Sequence, residues 1–431
     1  MTTVLRRVRP WGSAPVDLVI DDDRYGESVP SAREVEEIDG RGLLALPGLI
    51  NAHAHVDKSW VGRPWQSYAG ESTTAGRIAH ERAVRDALGI PSVEVTAATL
   101  EELLRFGTTS MRTHVDVDLG IGLSGIEAVR AAVTDRIPGM RYEIVAFPQD
   151  GVLRRPGVDR LLARAAAEGA EHIGGLDPAG IDRDPVGQLD ILFGIAGEHG
   201  CGIDIHLHDG GSLGAFQIGL IIERTRALDL RGKVNLAHGF AMADVAERER
   251  AALLEDMAEL GITLTTVAPV GRPALPARAF RAAGVPIGLG TDGFRDLWSP
   301  YGTGDLLGIA VQHARMTGAR TDEELCWVLR QATSGGRRFI GAEDAVPDDA
   351  ERPLAEQLAA YAAADFAPGM PADLILVDAE NPMDALARCR PRELVMIGGR
   401  VIEPRTDGPV PRRAEADRGG DPTRHDRPHN R

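Results

Sequence analysis

Two histidines one residue apart, His53 and His55, close the apolar run Pro47-Gly48-Leu49-Ile50-Asn51-Ala52, after which the chain turns polar at Asp57-Lys58. In an extended strand residues i and i+2 point to the same side, so both imidazoles can face one ion. Alone, the pair is read more simply as two exposed loop histidines. Three further apolar runs end in the same manner, however: Ile205 leads into His206, Ala237 into His238, and Gly288-Leu289-Gly290-Thr291 into Asp292. Neutral imidazoles with one carboxylate suit a single divalent ion, Zn2+, Fe2+ or Mn2+, and leave a coordination position for water. Metal-assisted hydrolysis is the chemistry such a set would carry.

Residues so far apart in the chain can meet only if a repeated architecture brings strand ends together. Short apolar runs ending in polar residues fall at 46–54, 110–117, 142–148, 172–176, 202–207, 234–238, 262–268 and 286–290, separated by Ala-rich, Arg/Glu-rich amphipathic stretches that read as helices. Eight such runs are what a closed parallel (β/α)8 barrel of the TIM type needs, and its chemistry sits at the C-terminal ends of the strands. The first 48 residues and the stretch 368–404 share a different pattern, short alternating segments between charged and Gly-rich turns, and are expected to pair into a small β-sandwich domain flanking the barrel at 49–367. From 405 to 431 the chain is Pro, Gly, Arg and Asp with almost no apolar content and is expected to be disordered, which makes His425 and His429 poor ligand candidates.

The composition narrows the function classes. With 431 residues, 43% of them hydrophobic, the chain can bury a large core. Its formal charge of −16 argues against nucleic acid as a partner. The three cysteines, Cys201, Cys326 and Cys389, form no CxxC pair, so neither a disulfide framework nor a thiolate metal site is expected. The polar start and the lack of a long apolar run predict no membrane span and a cytoplasmic protein.

These residues resemble the amidohydrolase superfamily, and within it the cytosine deaminase-like branch that includes N-alkylammelide hydrolases. The matching motifs are His53-Ala-His55-Val-Asp57, Arg112-Thr113-His114-Val115-Asp116, Val145-Ala146-Phe147-Pro148-Gln149, and Trp298 six residues after Asp292. The resemblance implies that His53, His55, His206 and Asp292 ligate one ion, that Asp292 also shuttles the proton of the attacking water, and that His238 hydrogen-bonds that water. It implies further that Gln149 orients a heterocyclic substrate through its amide and that Trp298 walls the pocket. Binuclear relatives carry a carboxylated lysine on the fourth strand, and the segment Glu171-His172-Ile173-Gly174-Gly175-Leu176-Asp177 has no lysine, which favours one metal. Relatives commonly assemble, so a homo-oligomer is expected.

Two positions depart from the deaminase pattern. Three residues after the strand-five histidine the deaminases have a glutamate that protonates the ring; here stands Asp209, shorter by about 1.5 Å, so that His208 is a candidate to share the acid role. After Asp292 the deaminases carry a second aspartate, and here stands Gly293, which puts cytosine itself in doubt. The expected reaction is attack of metal-activated water on an sp2 ring carbon of an amino-substituted heterocycle (cytosine-like, pterin or triazine) with release of ammonia. Asp292 and His238 would serve as base and Asp209 as acid, and His208 and Asp177 would line the substrate pocket. Rival readings are cleavage of a ring C–N amide or an N-alkylamino group and, more remotely, a barrel kept only for binding. Lys58 could face solvent or an anionic substrate, and His114 and Asp116 are expected to orient neighbours as readily as to take part.

Overall fold

The computed structural model describes residues 2–29, 34–342 and 346–402; the expected tail from 405, with His425 and His429, lies outside the described residues. The chain begins with β1 (Thr2–Pro10), β2 (Val16–Asp21), β3 (Arg24–Gly26), β4 (Val35–Asp39) and β5 (Leu44–Pro47). The first half of β1 pairs antiparallel with β2 and parallel with β4, and its last residues pass to β5. Strands from the other end of the chain complete this sheet, giving the order β16-β15-β14-β5-β1-β2-β3. Here β14 is Leu374–Val377, β15 Arg392–Ile397 and β16 Arg400–Ile402, and β14 lies antiparallel to β5, Leu376 opposite Ala45. The two ends that read alike thus build one sheet separate from the barrel.

Gly48 carries the chain out of this sheet. A Cβ there would stand 2.2 Å from Thr109 Oγ1, so a side chain is excluded where the first barrel strand begins. The barrel strands are β6 (Leu49–Ala54), β7 (Thr108–Asp116), β8 (Arg141–Phe147), β9 (His172–Leu176), β10 (Gly202–Leu207), β11 (Val234–His238), β12 (Thr263–Thr266) and β13 (Ile287–Leu289). They are parallel and neighbour one another in chain order, with helices on the outside. Every residue of β6, β7 and β10 is buried, so these strands show no alternation between exposed and buried positions. Between β6 and β7 the chain inserts α1 (Thr74–Leu88) and α2 (Val93–Arg105). Helix α1 buries Ile78, Glu81 and Arg85, three positions at helical spacing, two of which are charged.

Closure is made at the top of the barrel. Ala54 bridges to Asp292, and the N–H of Asp292 donates to the carbonyl of His53 at 3.0 Å. Inside, alternate residues stack in layers as the strand pleat requires. On β7 these are Arg112, His114 and Asp116, and on β10 Asp204 and His206 followed by His208. The lowest layer is an ionic floor. Arg112 bonds Asp204 at 3.1 Å and Glu143 at 2.9 Å, Glu143 faces His172 at 2.7 Å, and Asn235 donates to Asp204 at 2.9 Å.

Candidate metal centre and substrate pocket

Above that floor the imidazoles converge. His53 and His55 leave β6 with 0% and 5% of their surface exposed, and His206 ends β10 at 3%. His55 Nε2 lies 3.3 Å from His206 Nε2, and Asp292 Oδ1 lies 3.6 Å from His53 Nε2 and 3.3 Å from His55 Nε2. Two overlapping groups bring their donor atoms within 4.8 Å of one another: His53, His55, His114 and His206, and His53, His238 and Asp292. Both nitrogens of His53 and the Nδ1 atoms of His55, His206 and His238 are buried without a hydrogen-bond partner among the described residues. Leaving so many buried imidazole nitrogens unpaired is costly, and the cluster brings ligand-type atoms close enough together to share a cation. The donor set therefore fits a divalent ion.

The electrostatics agree. Burial, more than any neighbour, holds His55, His206 and His238 well below the ordinary histidine range, so they are neutral lone-pair donors. Burial would raise the Asp292 carboxyl, but the His53, His238 and His55 rings outweigh it and hold the group well below the usual carboxylate range. Asp292 Oδ1 also accepts from Gly293 N–H at 2.9 Å, which turns that oxygen toward the ligand side. Asp177, His238 and Asp292 all have left-handed backbones, with φ of 33°, 69° and 59°, each where its strand stops. Backbone strain at three strand ends around one mouth marks a site the surrounding structure must hold in place.

His114 lies in the layer of His53 and His206, fully buried, with ring centroids 4.3 Å and 4.6 Å from theirs. Its Nε2 stands 3.2 Å from Asp204 Oδ1, and burial first, His53 second, pushes its pKa down to about 4.

His208 stays outside both donor groups but beside them, its ring stacked on His238 at a centroid distance of 4.4 Å. Its Nδ1 is 2.8 Å from Asp177 Oδ2 and its backbone N–H also bonds Asp177, so the carboxylate orients ring and main chain together. Burial would lower this histidine, but the Asp177 hydrogen bond and charge raise it above the ordinary range. Asp209, by contrast, points its carboxylate at Gly180 N–H, 3.2 Å, and the Gln217 amide, 3.0 Å.

A second polar network faces the rings from the β7 and β8 side. Lys58, only 2% exposed, bonds Asp116 at 2.8 Å and Gln149 Oε1 at 2.5 Å. Gln149 Nε2 donates to Glu81 at 2.7 Å, and Trp298 Nε1 donates to the same carboxylate. The Gln149 amide is thus held at both ends by protein groups. Burial would lower Lys58, yet Asp116, Glu81 and Asp57 hold it above the ordinary lysine range, so it is set among three acids and away from solvent. Trp298 packs with Ile78, Phe147, Leu176 and Ile181 into an apolar wall.

Glu81 and Asp296 were absent from the residues singled out by sequence. Glu81 had a signal, an acid on the buried face of α1. Asp296 explains Gly293: a Cβ at 293 would lie 1.8 Å from Asp296 Oδ2. The carboxylate of Asp296, held by the N–H groups of Trp298 and Ser299 at 2.8 and 2.7 Å, fills the space a side chain after Asp292 would take.

The Amidohydrolase family model matches residues 92–402. The chain belongs to the amidohydrolase family. Within it the chain falls in the cytosine deaminase-like branch, as the resemblance implied, and it is a hydrolase acting on non-peptide C–N bonds. It is similar to the crystal structure of N-isopropylammelide isopropylaminohydrolase from Burkholderia multivorans, at 40% identity and a TM-score of 0.83, over 93% of this chain and 98% of that one. Uncharacterized protein YahJ of Escherichia coli K12 is 31% identical over 373 residues, 84% of this chain and 76% of its own length. N-isopropylammelide isopropyl amidohydrolase of Pseudomonas sp. strain ADP is 28% identical over 383 residues, 85% of this chain and 88% of its own. No helix among the described residues of this amidohydrolase is long and apolar enough to cross a membrane.

Proposed function

We propose that this amidohydrolase releases ammonia hydrolytically from an amino-substituted nitrogen heterocycle, with one divalent ion held by His53, His55, His206 and Asp292. The observation that carries the reading is the facing arrangement of two proton-handling groups: Asp292 among neutral imidazoles on one side, and the His208–Asp177 pair at the same mouth. When bound, the ion supplies a Lewis acid that brings the pKa of water toward neutrality.

The protein's own groups divide the proton work. Asp292 has Oδ1 committed to the His53/His55 side and to Gly293 N–H, which leaves Oδ2 to take a proton from water, with His238 beside it. His208 has Nδ1 committed to Asp177, so its proton is delivered from Nε2, toward a ring nitrogen and then the leaving amine. Asp209, tied to Gly180 and Gln217, supports that loop and passes the acid role to His208. Trp298 and Phe147 offer flat apolar faces to a ring, and the Lys58–Gln149–Glu81 chain offers polar groups at its edge.

A second reading, release of a primary alkylamine from a ring carbon, is favoured by the 40% identity to the Burkholderia protein named for that reaction. It uses the same groups and differs in what leaves. Metal-reconstituted protein incubated with cytosine, creatinine, pterin and N-alkylated ammelides separates the two, since ammonia and primary amine are assayed independently. Release of neither with Zn2+, Fe2+ or Mn2+ overturns the proposal.

A further inference from the structure

Beside the His208–Asp177 pair lies an open cleft of about 570 Å³, lined by Asp177, Asp209, Arg154, Asp182 and Arg183 and by Thr73 just before α1. Its volume falls within the range that small-molecule sites occupy, and more than a bare six-membered ring needs. The cleft shares Asp177 with the proposed proton-delivering pair and so adjoins it.

The polar groups of this cleft are not balanced. Each of its carboxylates is already satisfied by the protein. Asp177 accepts from the His208 ring and from the N–H groups of His208 and Asp209. Asp182 accepts from the N–H groups of Val152, Leu153 and Arg154 at 2.9, 3.0 and 3.2 Å and from the Gln188 amide at 2.7 Å. Asp209 accepts from Gly180 and Gln217. The guanidiniums of Arg154 and Arg183, in contrast, have no hydrogen-bond or ion-pair partner within the described residues. Both guanidiniums are exposed and line this one cleft, free to take a ligand's acceptor groups.

Their placement is fixed by the same groups. Asp182 bonds the loop that carries Arg154 through that residue's own N–H, and Arg183 follows Asp182 directly with a left-handed φ of 58°. One set of hydrogen bonds to Asp182 therefore ties together the two backbone segments that carry these arginines. Paired forks of this kind select planar oxyanions.

We infer that the cleft is a subsite for a carboxylate carried by the heterocyclic substrate, bound by Arg154 and Arg183 while the ring faces His208 and Asp292. The inference rests on the proposed ring chemistry, but it is tested by binding as well as turnover. The probes are two matched pairs, pterin with pterin-6-carboxylate and cytosine with 5-carboxycytosine, measured on metal-loaded wild type, on an Arg154→Gln/Arg183→Gln double variant, and on the surface control Arg105→Gln. Two charge-assisted contacts predict that in at least one pair the carboxylate form binds wild type about tenfold tighter or more, by calorimetric Kd and by KM. In the double variant that ratio falls toward one, in Arg105→Gln it stays, and all three proteins melt alike. The inference is overturned if neither carboxylate is preferred by wild type, or if the preference survives the double substitution. A carboxylate preference that depends on Arg154 and Arg183 without amine release from any probe keeps the subsite and sinks the ring-deamination reading instead.

Discussion

The N–H of Asp292 donates to the carbonyl of His53 across 3.0 Å while its carboxylate stands 3.6 Å from the same residue's Nε2, so one residue closes the barrel with its backbone and joins the histidine cluster with its side chain. Backbone and side chain of Asp292 are therefore separable by substitution. Asp292→Asn keeps the closing bond and removes the charge that binds a cation and takes a proton. Metal per chain, read by inductively coupled plasma mass spectrometry, is expected to drop well below one, and amine release to fall by roughly 10²–10⁴-fold. A variant with full metal and undiminished rate would remove Asp292 from the centre.

The acid role is assigned by contrast. His208→Gln breaks the pair with Asp177, and Asp177→Asn leaves the ring without the carboxylate that raises it; each is expected to lower kcat by roughly 10²-fold or more. Asp209→Asn, which preserves an acceptor for Gly180 N–H, is expected to cost about threefold or less, far short of what loss of a general acid removes. Steady-state rates that rank the variants the other way would return the role to Asp209.

Lys58 tests the network opposite. It is 2% exposed among Asp116, Asp57 and Glu81, where burial and Asp116 push the Asp57 carboxyl up to about 7. Lys58→Met leaves these acids without their cation, and removing one partner of a buried ion pair costs about 3–5 kcal/mol. Urea unfolding of Lys58→Met against Lys58→Met/Asp116→Asn is expected to show partial recovery in the double variant, since the second change removes an acid that burial already holds well above the ordinary carboxylate range.

The cluster of His53, His55, His206, His238 and Asp292 was legible because its members fall at or near the ends of strands, and strand ends are local features. His206 after Ile205, His238 after Ala237 and Asp292 after Gly290-Thr291 announce themselves in short windows. The flanking sheet was legible for a similar reason, its two halves sharing one alternating pattern, and β14 does lie against β5. What was not legible depends on contacts between elements. Glu81 reaches the pocket only because α1 packs over it, and Lys58 turns inward only because Asp116 and Gln149 are placed to receive it. The commitment of Asp209 to a neighbouring turn likewise follows from packing and leaves no trace in spacing.

Gly293 converts a departure from the family pattern into a steric test. With Asp296 Oδ2 occupying the place of its Cβ, Gly293→Asp would force two carboxylates into one space and is expected to lose about 1–3 kcal/mol, by analogy with overpacking in cores. Asp296→Gly vacates that space. In a thermal-melt double-mutant cycle the pair Gly293→Asp/Asp296→Gly should be more stable than the sum of the single effects, with a coupling of about 0.5–3 kcal/mol. Additive effects would show that the two positions do not compete.

Away from the centre's donor set, His313 on the helix Leu306–Thr317 is 1% exposed, its Nε2 has no partner, and burial alone pushes its pKa down to about 4. A histidine with an unfolded value near 6.5 and a depressed folded value stays neutral in the fold, so its contribution to stability is whole above about pH 6.5 and is lost as pH falls through about 4. By about pH 5 the unfolded chain has taken up the proton and the folded chain has not, a difference on the order of 2 kcal/mol against the fold. His313→Leu cannot take up that proton in either state. Urea unfolding of wild type and variant at about pH 7.5 and about pH 5 should therefore show wild type losing on the order of 2 kcal/mol more than the variant on acidification. Equal losses in the two proteins would mean that His313 is protonated as readily in the folded chain as in the unfolded one.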